Sequence, residues 1–461
     1  LAQAIGGGGG NGGLNVSGGI ALNKDGKIPS ITFGIGGFGG SGNVSGNVTA
    51  NHEGQISVAG NWKHGIFAQS VAGGGGNGAL NVSGQLDYAG SETSDGGTDL
   101  SIVAGLGGHG GIGADAGNVS VTSTGDIVTT GYQARGVFAQ SVGGGGGTGG
   151  INVSAVGTQN SSPIGIGVGG FGGGGGHAGD VTVQRGTATA AAGLIQTNGG
   201  GAVGLVAASI GGGGGNAGVN AVVGCSRTTG GKSDSGSAGD SDRKTPTHTG
   251  VDPSVITNYN AVLDELEGKT ATQDAATGNN KTNSASIAIG GSGGDAGNGG
   301  VVDVDHFGDI ITLDDDSHGI LGQSIGGGGG NAAFNLGFIY QLGNDDNNKA
   351  VDIAIGGGTG DGGSGGAVDV RHTGDISTTG EDSIGVFAQS VGGGGGNAGY
   401  DMLSNSSDGG SFNIKIGREG GTGGSASNVF ASSAGNINTL GDRSYGLLAQ
   451  SEGKGGGKSR D

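Results

Sequence analysis

Gly385-Val386-Phe387-Ala388-Gln389-Ser390-Val391, then five glycines from Gly392 to Gly396 and then Asn397, is a phrase the chain repeats along its whole length. With Gln as the register mark it recurs at Gln3, Gln69, Gln140, Gln323, Gln389 and Gln450, and Ala208 takes that place in a seventh copy. The intervals are 66, 71, 68, 115, 66 and 61 residues, so the unit is near 66 residues and the fourth carries a large insertion. A repeat at fixed spacing marks a stacked array, which grows by adding units rather than by adding domains.

Each unit contains a weaker echo of the phrase, as at Ile35-Gly36-Gly37-Phe38, Leu106-Gly107-Gly108 and Val168-Gly169-Gly170-Phe171. From echo to next phrase the distance is 36 residues in five of six units and 42 in the third. From phrase to echo it wanders through 30, 35, 26, 79, 30 and 25. Constant length is what stacked rungs demand, because one added residue turns every later side chain to the opposite face. Variable length suits outward connections, so the variable half is expected to hold the loops.

The constant half reads as short strands. Asn118-Val119-Ser120-Val121-Thr122 and Ile127-Val128-Thr129-Thr130 alternate apolar and small polar residues around Gly125-Asp126, and the pattern returns at Ala367-Val368-Asp369-Val370. Strand, tight turn and strand at a fixed interval predict an all-β parallel β-helix, a β-solenoid of about seven repeats of ~66 residues. Each repeat divides into two large coils or three of about 22 residues, and the 36-residue half favours two. The Asn after most Gly runs (Asn11, Asn77, Asn216, Asn331, Asn397) is placed to bond the next coil, and Thr148 breaks that column.

Four segments follow: repeats over 1–224, an insertion over 225–283, repeats over 284–451, and a degenerate cap or linker over 452–461. Within the insertion, Asp252 as cap, Pro253, an apolar stripe (Val255, Ile256, Tyr259, Val262, Leu263, Leu266) and Gly268 predict a short helix over about 252–267, lying on the solenoid.

Gly makes up 125 of 461 residues and Pro only 4, and the glycines come in blocks, which excludes collagen. Disorder is opposed by the apolar residues that keep register beside each block. The net charge of −19 argues against nucleic acid or an anionic membrane surface as partner. The single Cys225 rules out an internal disulfide framework. No stretch approaches the ~18 apolar residues of a membrane helix. Since Leu1 falls inside a phrase, the chain is expected to be a segment of a longer protein.

Repeats such as Gly65 to Asn77 and Gly385 to Asn397 resemble the passenger regions of very large Gly-rich autotransporters (type V secretion) of Gram-negative bacteria. The resemblance covers nearly the whole chain outside the insertion. It implies a right-handed parallel β-helix, export through a C-terminal outer-membrane barrel, and extracellular display in an adhesive or biofilm-related role. Partners would then be host or neighbouring-cell surface molecules, or copies of the chain itself. Membrane contact would come only through a barrel that this chain does not contain.

Chemical motifs are few. The Gly blocks lack the Lys-Ser/Thr of a phosphate loop, and five phrase serines (Ser70, Ser141, Ser209, Ser324, Ser390) read as structural rather than as five nucleophiles. The eight histidines show no metal-ligand spacing, and His52, His306 and His372, each shortly before a Gly, read as turn residues. Aromatics at a repeat position, such as Phe67, Phe138 and Phe387, read as core. No two Glu residues keep a shared register, so no catalytic pair is assigned and the chain is read as a non-enzyme. Calcium is the one cofactor candidate: Gly290 to Asp295 matches most of a calcium-binding β-roll repeat, and Asp295, Asp303, Asp305 and Asp309 are its weak ligand candidates.

The expectation is a structural or adhesive surface solenoid acting as a stiff stalk, with the variable loops and the insertion as its contact surface. Self-assembly into fibres or a surface layer, and a β-helix enzyme acting on polysaccharide, are the alternatives.

Overall fold

A computed structural model describes residues 1–23, 29–89, 100–228, 282–342, 348–407 and 409–459. Among them there is no helix, and the strands form five sheets in which every strand-to-strand pairing is parallel. The architecture is a parallel β-solenoid.

One circuit shows the plan. The phrase strand Ile66–Val71 belongs to a seven-stranded sheet, here sheet A. A Gly run leads to Asn81–Ala89 in sheet B; the chain returns through Leu100–Leu106 in sheet C, crosses a second Gly-rich run, and passes Val119–Ser123 in sheet D and Ile127–Thr130 in sheet E. It re-enters sheet A at Val137–Val142, where Gln69 pairs with Gln140 and Ser70 with Ser141. Each ~66-residue unit is therefore a single coil. The division into two coils is corrected, and the reason lies in the glycines: phrase block and echo do not stack, they lie side by side within one rung.

They do so as extended threefold helices. Gly37, Gly40 and Asn43 donate their N–H groups to the carbonyls of Gly13, Gly10 and Gly7, so the two runs are antiparallel and linked at every third residue. In the next coil Gly73, Gly76 and Ala79 donate to Asn43, Gly40 and Gly37. A second set, one residue out of phase, runs along the stack: Ala72, Gly75 and Gly78 donate to Val142, Gly145 and Thr148. A period of three with only lateral bonds is the geometry of polyproline II. Residues that face neighbouring backbone on two sides must be glycine or nearly so. A Cβ on Gly144 would lie 2.1 Å from the Gly73 carbonyl oxygen, on Gly393 1.8 Å from that of Gly327, and on Gly146 1.9 Å from that of Gly173. The third side is open, since a Cβ on Gly145 meets nothing closer than 3.8 Å.

Sheets A, D and E enclose the hydrophobic core. Columns of identical or nearly identical residues run along it, such as Ile127, Ile195, Ile310 and Ile376 from sheet E and Val121, Val183, Val304 and Val370 from sheet D, all 1% exposed or less. Each such side chain contributes roughly 1.5 to 3 kcal/mol on burial.

Sheets B and C form a thin blade joined to this head by the two glycine layers. Its interior is small and polar. Asn81 donates to Asn152 (2.7 Å) and Asn152 to Asn220 (2.8 Å), an amide ladder wholly out of water. Gly105, Gly165 and Gly167 bring sheet C so close that a Cβ on any of them would lie 2.5 Å or less from a side chain of sheet B.

The variable half thus holds two sheets rather than only loops. Its length varies chiefly at the blade tip, where two residues join Gln159 to Ser162 and ten join Ala89 to Leu100. The six extra residues of the third unit fall elsewhere, at the corner between Arg185 and Ile195. The 225–283 insertion also opens at the blade tip, but the strand there runs on to Arg227 and the next begins at Asn283. The helix expected over 252–267 lies outside the described residues. At the other end the degenerate phrase keeps register: Leu447–Glu452 pairs with Val386–Val391, and Gly457 still donates to Gly421.

Candidate functional site

Side-chain acceptors continue the glycine layers outward. Every third residue of those layers points to solvent, and where the preceding coil has an Asn or Asp at that place its side chain accepts the outward N–H. Asn77 N–H donates to Asn11 Oδ1 (2.9 Å), Asn331 to Asn216 (2.9 Å) and Asn397 to Asn331 (2.8 Å). Thr148 accordingly receives Asn77 Oδ1 on both its N–H and its hydroxyl, and has no amide to pass the ladder on. The echo has a second such column, in which Asn118, Asp180 and Val301 donate to Asn47, Asn118 and Asp180.

The calcium candidates separate in this frame. Asp295 is one of the acceptors, taking the N–H of Asp361 at 2.9 Å, and Asp309 takes that of Asp375 at 2.9 Å. Asp303 and Asp305 stand instead on the outer face of sheet D, where Arg371 lies 3.6 and 3.5 Å from them and also pairs with Asp369. Partial burial and the neighbouring Asp305 push the Asp303 carboxyl up, and Arg371 pulls it down. Among the described residues no three His, Cys, Asp or Glu side chains converge as a metal site.

The phrase serines are staples. Ser141 donates to the Gly117 carbonyl (2.9 Å) and accepts from Gly179 N–H (2.8 Å), and Ser209 and Ser324 repeat this one coil on each. Ser70, Ser141, Ser209, Ser324 and Ser390 are all fully buried. The phrase aromatics face away from the main core. Phe138 packs outside sheet A with Val203, Val206 and Ala208, and with the half-buried Phe67 and Leu321, beneath the Arg135 guanidinium at 4.7 Å.

His306 and His372 are not turn residues. They lie in the sheet D strands Val302–Phe307 and Val368–Thr373 and point inward, 0% and 2% exposed, with rings 5.1 Å apart. The Nε2–H of His372 donates to the Gly374 carbonyl (3.1 Å), which leaves its Nδ1 to accept from His306 Nδ1–H at 3.0 Å. The bare Nε2 of His306 has no partner. One coil earlier the same column holds Arg185, fully buried, donating to Ser123 Oγ (3.0 Å) and the Gly125 carbonyl (2.9 Å). Burial lowers Arg185 to about 10, and burial together with His372 and Arg185 pushes His306 well below its usual value. Sequence reasoning passed over Arg185, and its only signal was a cation at an inward place of an alternating strand.

Inside the blade, Asp352 is fully buried, and desolvation raises it to about 6 against the opposing pull of Ser286, Lys415 and the Ile353 backbone. On the outside of sheet B, Gly18 and Gly84 leave a shallow trough of about 640 Å3 between the Val16/Val82 column and the Ile20/Leu86 column, and Gly157 interrupts the second column in the next coil.

The chain matches no protein-family model, no curated protein and no solved structure.

Proposed function

We propose that the chain is an extracellular, structural or adhesive segment of a Gram-negative autotransporter passenger, in which a rigid head and neck hold a row of blade-tip loops for contact. The observation that carries this reading is where length varies. Core, glycine layers and staples repeat in register from coil to coil, whereas the blade-tip connection changes from two residues in one coil to more than fifty in another. Surface connections free of the register constraint are where binding specificity can diverge.

Display is better supported than reach. Seven rungs about 4.8 Å apart make a stack only about 29 Å long. The same chain wound into coils a third as large would be three times longer, so these residues build cross-section instead. The strand ends that carry these connections lie one rung apart, so weak contacts made there add through effective concentration.

The test is to display the chain on a bacterial surface and replace 24–28, 90–99 and 343–347 with Gly-Ser loops of equal length. Binding to epithelial cell layers and to neighbouring cells should fall at least tenfold while the melting temperature stays unchanged. Full retention of both kinds of binding would refute the reading.

A further inference from the structure

The outer faces of sheets D and C differ in a way that points to a partner. Sheet D carries Thr, Ser, Asn, Gln, Asp and Arg outward over its first five strands, with Phe307 at a strand end the one apolar exception, as a sheet facing water should. Sheet C carries Ile102, Ala104 and Leu106 outward in one coil and Ile164, Ile166 and Val168 in the next. The matching places in its other four strands are all Ile, Val, Phe or Ala, so three unbroken apolar columns cross six coils without a charge.

These residues cannot turn inward. The inner face of sheet C is Gly, Ser and Ala for the most part, packed so near sheet B that a Cβ on Gly165 would lie 2.5 Å from Val222. Parallel sheets are ordinarily covered on both faces, and among the described residues nothing covers this one.

We infer that the outer face of sheet C is the interface between two copies of this chain, packed face to face. Three features select a second copy. The columns repeat at every rung, so the face is complementary to itself: ridges two residues apart, about 6.7 Å, leave furrows that take the ridges of an identical face. The three columns bear no charge, and among the described residues Lys349, at the tip end of one strand, is the one charged outward residue of the sheet C strands, although the chain carries −19, so the acidic repulsion that would oppose pairing is held away from the contact. Six strands about 4.8 Å apart and about 20 Å long offer roughly 600 Å2 per copy, the lower end of what a stable dimer buries. The outer face of sheet B is the weaker choice, because Ser404 and Ser406 replace the apolar residues of its columns in the last coil. The inference stands on this geometry and does not depend on where the chain is displayed.

Sedimentation of the 461-residue chain between about 1 and 50 μM tests it, with Ile166→Lys/Ile287→Lys beside wild type and Thr182→Lys as a control on sheet D. The expected result is a wild-type and control dimer, with the double variant at least about 100-fold weaker in association and unchanged in circular dichroism. Ile166→Thr/Ile287→Thr serves if the lysine variant does not fold. A chain monomeric at every concentration, or a dimer indifferent to both double variants, overturns the inference. So does a dimer that appears only when 229–281 is replaced by a short linker, since the insertion would then be the occupant. Binding to phosphatidylcholine vesicles without dimerisation would overturn it in favour of lipid.

Discussion

At the scale of single residues, the glycine runs follow a triplet rule. Gly143-Gly144-Gly145, Gly146-Gly147-Thr148 and Gly149-Gly150-Ile151 each place two tightly packed residues before one that faces out, and Gly169-Gly170-Phe171 does the same in an echo. Gly144→Ala or Gly393→Ala should therefore destabilise by about 3 kcal/mol or more, because a backbone oxygen must move, whereas Gly145→Ala should be neutral or stabilise by up to about 1 kcal/mol. Chemical denaturation of the three variants separates these outcomes. The triplet was legible in the sequence, yet blocks of five glycines hide it, because the outward place is itself often Gly. The buried histidines make a second prediction. His306 and His372 have folded-state values below their ordinary ones, so the unfolded chain takes up protons first as pH drops. Stability should be full above about pH 6.5 and fall progressively below it. Replacing His372 by Ser, the residue that Ser433 supplies in the same column, should flatten the dependence of melting temperature on pH between 7 and 5.

At the scale of elements, the strands of the constant half were readable because alternation of Val, Ile and Thr is the ordinary signal of a half-buried strand. The blade was not. Its strands invert that pattern, with Asn81, Ser83 and Asp87 inside and Val82, Leu86 and Tyr88 outside, so hydrophobicity alone assigns no inner face. The histidine column was missed for a related reason. A polar residue at a strand end next to a Gly reads as a turn, and only the stacking of His306 on His372 across 66 residues shows it to be interior. The calcium candidates fall on two different elements: Asp295 and Asp309 accept from the backbone of the next coil, and Asp303 and Asp305 share Arg371 on the outer face of sheet D.

At the scale of the whole molecule, the repeat period was plain from the Gln marks, but the number of coils per period was not. Two Gly-rich runs per unit suggest two rungs until their antiparallel pairing shows that one rung contains both. From this follow the wide cross-section, the short stack and the row of tips. The claim that one unit makes one coil is open to a direct chemical measurement: oxidation of Gln69→Cys/Gln140→Cys in a Cys225→Ser background. The two positions are register partners on the outer face of sheet A, and Gln69 donates to Gln140 at 2.8 Å. One rung apart, their Cα atoms fall within the ~4.4 to 6.8 Å that a disulfide spans. Near-complete disulfide formation under mild oxidation is the predicted result. Two coils per unit would set them about 10 Å apart, so thiols that stay free in the folded chain would contradict the account.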